Sequence, residues 1–181
     1  MSAEKIPETV AGRTGALHQG GERERQAGRE FVRRFRNLLC ELRLQTGIHQ
    51  RTETLLNEFA EAHPNVRASY LSRDVDESYF SDGSCGWEAA ARPKLQGLAI
   101  AGENLFEFMA FANGLRIHTT PFNTIMNVEE TWLEPAAEQP FVLRVCLFHS
   151  FPATTILYAP NPDTQEAALV FLQRLKYLRG F

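Results

Sequence analysis

The sequence predicts an α+β fold: a long N-terminal helix, bent or folded into a hairpin, an antiparallel meander sheet of five or six strands, and a C-terminal helix. Three observations carry this. Apolar residues recur at helical spacing in the first third of the chain. Alternating apolar runs, punctuated by turn dipeptides, fill residues 95–159. No strand–helix–strand alternation appears, which disfavours a parallel sheet.

Residues 1–22 hold Gly12, Gly15, Gly20 and Gly21 with almost no apolar periodicity, so burial cannot offset the entropy of ordering them, and they read as a flexible tail. Residues 23–181 read as a single α+β domain that opens with a helical arm over 23–63. Phe31, Phe35, Leu38, Leu39 and Leu42 mark one helix face, and Arg29, Arg33, Arg34, Arg36 and Arg43 cover much of the rest. Thr46-Gly47 interrupts the helix, glycine costing about 1 kcal/mol relative to alanine. The stripe resumes at Ile48, Leu55, Leu56, Phe59 and Ala62 and stops at His63-Pro64, because the residue before proline is pushed out of the α region. The stripe implies a helical contact within the domain or between two copies, and its length favours self-association.

Residues 65–71 fit a short strand. Residues 72–93, rich in Asp, Ser and Gly, read as an irregular loop with one helical turn near Trp87. Asn113-Gly114 between alternating apolar runs predicts a type I′ hairpin, with Ala110 opposite Ile117 and Phe108 opposite Thr119. Gly102-Glu103 marks a second tight turn upstream. Further strands are expected over 124–133, 141–148 and 154–159. In the last helix Asn161 caps and Pro162 occupies the first turn. Ala168, Phe171, Leu172, Leu175 and Leu178 form the buried stripe, and Gly180 ends the helix.

Composition bounds the function. The 181 residues are 44% hydrophobic and 23% charged with a net charge of −3, which excludes wholesale disorder and gives no bulk case for nucleic-acid binding. Charge is uneven: residues 1–51 carry ten Lys and Arg against six acids, and the remainder nine against sixteen. No apolar run approaches the ~18 residues that span a bilayer, so no membrane association is expected. Residues 1–21 lack the apolar core of a secretory signal, and Glu4, Glu8, Glu22, Glu24 and Glu30, mixed among the arginines, argue against a transit peptide. Cys40, Cys85 and Cys146 are odd in number and widely spaced, without Cys-x-x-Cys. They suggest neither a disulfide framework nor a zinc site, but a reduced intracellular protein, cytoplasmic with a nuclear site left open. No cofactor is expected, since neither familiar Gly-rich phosphate loop is present.

One string is motif-like. Asp82-Gly83-Ser84-Cys85-Gly86-Trp87 places a cysteine after a Gly-rich loop, where a thiolate is stabilised if a helix begins there. Its general base would come from His118 or His149. Over Asp82 to Cys85 it is similar to the cysteine box of ovarian-tumour-type deubiquitinases. It departs at Gly86, where that family has a bulky apolar residue, and at Pro93, which shortens the following helix. His118 and His149 also pair as metal-ligand candidates, but no third ligand lies near them in sequence. Glu129-Glu130 fall on opposite faces of a strand and cannot share a site. Arg33-Arg34 beside Phe31 and Phe35 suggest RNA contact, although both rings lie on the core stripe.

Around the Asn113-Gly114 hairpin one face is apolar, while the other carries Glu107, Met109, Phe111, Arg116 and His118, a mixture typical of interfaces. Met109, Phe111, Arg116 and His118, with Arg33 and Arg34 of the arm, are the expected partner-binding residues. The preferred reading is a non-enzymatic protein-interaction protein (an adaptor, chaperone, inhibitor or assembly subunit) that meets a protein partner or a second copy. The alternatives are a cysteine-dependent hydrolase centred on Cys85 and a nucleic-acid-associated protein using the Arg-rich arm.

Overall fold

The computed structural model describes residues 14–42, 49–73, 93–111, 114–133, 142–150 and 154–181. In chain order the elements are α1 (Thr14–Glu41), α2 (His49–Ala62), β1 (Val66–Ser72), β2 (Leu95–Ala101), β3 (Asn104–Phe111), β4 (Gly114–Pro121), β5 (Ile125–Leu133), β6 (Val142–His149), β7 (Thr154–Ala159) and α3 (Pro162–Arg179). The α+β class and the antiparallel pairing are as the sequence implies. Among the described residues no helix is long and apolar enough to cross a membrane.

The single meander of five or six strands is corrected. The strands form two antiparallel sheets, one of order β1-β2-β3-β4 and one of order β5-β6-β7. The break lies at Pro121 and the 3-10 turn Phe122–Thr124. Proline has no N–H for the ladder, the Thr124 hydroxyl donates to Pro121 O at 2.6 Å, and the chain leaves the first sheet there. Continuous strand-like hydropathy on both sides hid this turn.

The hairpin register is corrected too. Phe111 lies opposite Gly114, Ala110 opposite Leu115 and Phe108 opposite Ile117. Ala112 and Asn113 lie outside the described residues. The expected and observed registers keep every side chain on the same face, so an alternation pattern cannot separate them. The β2–β3 turn matches expectation: Ala101 pairs with Asn104, and Gly102 takes φ 57°, where glycine has no Cβ penalty.

Two cores lie on opposite faces of the first sheet. On one face Phe31, Phe35 and Leu39 of α1 and Leu56 and Phe59 of α2 meet Leu95, Ala99, Phe106 and Phe108. Phe31, Phe35 and Phe59 surround Phe108 at ring-centroid distances of 5.0, 5.5 and 4.8 Å. Such ring pairs add about 0.5–1.5 kcal/mol each beyond the area buried. The other face, with Tyr70, Leu98, Ile100 and Leu105, meets Leu143, Val145, Leu147 and Leu157 of the second sheet and Phe171 and Leu175 of α3. Every residue of β2 is buried, because both its faces are covered. The Tyr70 hydroxyl donates to Tyr158 O at 2.8 Å, and Gln96 Nε2 donates to Ile156 O at 2.7 Å, so the first sheet also grips β7 through polar contacts.

The arm is a pair of helices, and Arg36 spans it by bonding Glu53 and Asn57 of α2. Of the two contacts its stripe allows, the one within the domain is seen: Phe31, Phe35 and Leu39 are buried in the chain's own core. Close docking at one end has a specific cause. Gly28 N donates to Pro64 O at 3.1 Å, and a Cβ at Gly28 would stand 2.0 Å from His63 O. Only glycine lets α1 lie this close to the α2–β1 connection. The helix begins at Thr14, ahead of the arm boundary at residue 23, so the tail expected over 1–22 overlaps its first turns; residues 1–13 lie outside the described residues.

Candidate functional site

α3 is built to be held firmly at both ends. Asn161 Oδ1 accepts from Thr164 N at 3.0 Å, the Thr164 side chain accepts from Asn161 N, and Pro162 starts the helix. Gly180 closes it in the left-handed region at φ 75°. Its inner stripe, Ala168, Phe171, Leu172 and Leu175, is buried. A second stripe runs along the outer face: Val170, Arg174 and Tyr177 fall at i, i+4 and i+7, and Phe181 follows the Gly180 cap. Val170 is 61% exposed, Tyr177 74% and Phe181 55%. The Arg174 guanidinium lies 5.3 Å from the Tyr177 ring centroid, and that of Arg179 lies 5.2 Å from the ring centroid of Phe181. Arg179 also donates twice to Ile125 O, at 3.1 and 2.8 Å, and Lys176 pairs with Glu130 at 2.6 Å.

Beside this stripe opens a cleft of about 630 Å³ between α3, the α2–β1 connection and the β2–β3 turn. Arg174 and Leu178 form one wall, His63, Asn65 and Arg67 the other. Arg67 reaches it from an irregularity in β1: Val66 pairs with Ala101 and Ala68 with Ile100, leaving Arg67 as the extra residue of a bulge. His63 is braced by the rings of Phe59 and Phe106 at 5.0 and 4.6 Å. Burial disfavours its charged form and lowers its pKa.

The residues expected from sequence fall elsewhere. His118 and His149 do come together with Glu107, Gln96 and Thr155 in a polar cluster between the two sheets. Gln96 Nε2 donates to Glu107 Oε1 at 2.9 Å, Thr155 also hydrogen bonds Glu107, and His149 Nε2 lies 3.0 Å from Thr155 Oγ1. Burial raises the Glu107 pKa; burial, then the nearby His118 charge, lowers that of His149. The arrangement has a hydroxyl, an imidazole and a carboxylate, but Thr155 and His149 are both buried, and His149 Nδ1 has no partner among the described residues. An acid bonded to that nitrogen is what would orient the ring as a base. Among the described residues no three His, Cys, Asp or Glu side chains group to hold a metal.

On the expected partner face only Arg116 and His118 are exposed. Met109 is half-buried, and Phe111 is 6% exposed with the Arg116 guanidinium 5.0 Å from its ring centroid. Phe111 as an open binding residue is thus corrected: it is packed into the fold. Arg33 and Arg34 are exposed on α1, and Arg33 is held by Glu30 at 2.7 Å. Cys85, its string and the turn near Trp87 lie outside the described residues. Sequence reading missed the outer stripe of α3, although the spacing 170, 174, 177 was there to find. Arg67 could not be found that way, because a bulge leaves no periodic trace. No family model, no curated protein and no solved structure matches the chain, so its own chemistry is what bears on function.

Proposed function

We propose that the chain is a non-catalytic protein-binding module that takes an acidic segment of a partner on the outer face of α3. The observation that supports this most is Tyr177, an aromatic side chain left 74% exposed on a rigidly capped helix, between Val170 and Phe181 and stacked under Arg174. Contiguous exposed apolar surface is uncommon on a monomer and marks interaction sites. Tyrosine and arginine are the residues that dominate interface energetics. The last turns of α3 carry Arg174, Lys176 and Arg179, which favours an occupant that interleaves carboxylates with apolar side chains. Adaptor, chaperone, inhibitor and assembly roles all use such a surface. The non-catalytic half of the reading rests on the interlayer cluster, where burial of Thr155 and His149 keeps substrate from the hydroxyl. We place the module inside the cell on its cysteine pattern.

The test is an array of synthetic peptides that alternate acidic and apolar residues, beside basic counterparts of equal length, probed with the wild type and with Val170→Ser/Tyr177→Ser. Both positions are exposed, so stability should change by less than about 0.5 kcal/mol for each. The wild type should retain the acidic set and the double variant should lose it. Equal retention of both sets by both proteins would end the reading.

A further inference from the structure

We infer that the cleft between β1 and α3 is a binding site for a phosphate monoester dianion, gripped between Arg67 and Arg174. The inference rests on the reading of this corner as a binding site for acidic segments, and names the acidic group.

Charge accounting points here. Four basic side chains sit against acids: Arg33 on Glu30 at 2.7 Å, Arg36 on Glu53 at 2.9 Å, Arg73 on Glu41 at 2.8 Å and Lys176 on Glu130 at 2.6 Å. Arg67 and Arg174 share one cleft, and among the described residues that line it there is no carboxylate. Neither is ion-paired to a described residue. Two like charges lining one cleft repel each other, and an anion bound between them reverses the sign of that interaction.

The donor set selects the anion. Each guanidinium is a planar fork that meets oxyanions in a bidentate way, and two of them match the two charges of a phosphate monoester, where one suffices for a carboxylate. The Asn65 side-chain amide and the His63 ring are further polar groups of the wall. At about 630 Å³ the space exceeds a bare oxyanion, and Ala62 and Leu178 offer apolar surface to the carbon side of an ester. The bulge that extrudes Arg67 is the kind of irregularity that re-aims a side chain toward a ligand.

The test follows the arginine Nε–Hε signals of the ¹⁵N-labelled full chain by NMR. The probes are phenyl phosphate, benzoate at matched ionic strength, and a short peptide with or without one phosphoserine. Phenyl phosphate should shift the Arg67 and Arg174 signals saturably, with benzoate about tenfold weaker or more. Arg67→Gln and Arg174→Gln, both at exposed positions, should each weaken phenyl phosphate about tenfold, whereas Arg34→Gln on α1 should not. A phosphopeptide that outbinds phenyl phosphate identifies a phosphorylated side chain as the source, and equal affinity identifies a free phosphate ester; each supports the site. Unsaturable shifts, benzoate binding as well as phenyl phosphate, or equal losses in all three variants would overturn it. If acidic peptides bind α3 while phenyl phosphate leaves both signals in place, this inference falls and the binding-module reading stands. If phenyl phosphate binds and acidic peptides do not, the module reading falls and the dianion site stands.

Discussion

Gly28→Ala sets two known effects against each other. In an exposed helix interior the change should stabilise, since alanine is favoured over glycine by about 1 kcal/mol. In this fold the new methyl would stand 2.0 Å from His63 O and 3.1 Å from His63 C, both backbone atoms that cannot rotate away. Relief requires α1 to withdraw from the α2–β1 connection by roughly 1 Å, and overpacking of this kind costs about 1–3 kcal/mol. Withdrawal also stretches the bond from Gly28 N to Pro64 O, worth about 1 kcal/mol. The same movement pulls Phe31 from Phe59 and Phe108, where the centroids are 5.9 and 5.0 Å apart. The sum is a net loss of about 2 kcal/mol, the helix gain already subtracted. For a chain of this length that lowers Tm by about 4–8 °C. Urea unfolding followed by circular dichroism should show a lower midpoint with an unchanged slope. A rise in stability of about 1 kcal/mol would mean that helix propensity acts alone and that α1 does not lie against His63.

Three further outcomes can be measured in the same way. Phe35→Ala empties a fully buried position in the ring cluster and should cost about 3–5 kcal/mol. Tyr70→Phe should cost about 1–2 kcal/mol, because Tyr158 O loses its buried donor. Stability should fall as pH drops below 6.5, the ordinary histidine value: burial depresses the folded pKa of His63 and His149, so the unfolded chain takes up protons first. The fall ends once pH passes below the folded values. Glu107 works oppositely: burial raises its pKa above the ordinary 4.5, so its contribution is full below 4.5 and is lost as pH rises through the folded value. Thermal melts of the wild type and His149→Gln at pH ~7.5 and ~5.5 separate these, the variant losing less on acidification.

What the sequence made legible follows from how local each signal is. The capped helix at 161–180 was readable because Asn161, Pro162 and Gly180 act within a turn of themselves. The arm stripe was readable from spacing, yet its partner was not: Phe31 meets Phe108, and nothing local links residues 77 apart. The faces of the β3–β4 hairpin were right and its register was not, since alternation repeats every two residues. The split into two sheets was hidden because a 3-10 turn of three residues barely interrupts an apolar run. At the candidate site the outer stripe of α3 left a periodic trace, whereas the Arg67–Arg174 cleft joins residues from β1 and α3 that only the tertiary fold brings together.

The two carbonyls of β7 that receive Tyr70 and Gln96 have a consequence for solubility. β7 is an edge strand of its sheet, and a bare edge strand is a template onto which a foreign strand can zip. Ile156 O and Tyr158 O are the groups such a strand would need, and both are occupied by side chains from the neighbouring sheet. Fibril-like growth from this margin must first break two hydrogen bonds, one of them buried. Removing either donor, by Tyr70→Phe or Gln96→Leu, should therefore raise the rate of thioflavin-positive aggregation beyond what the lost stability alone predicts.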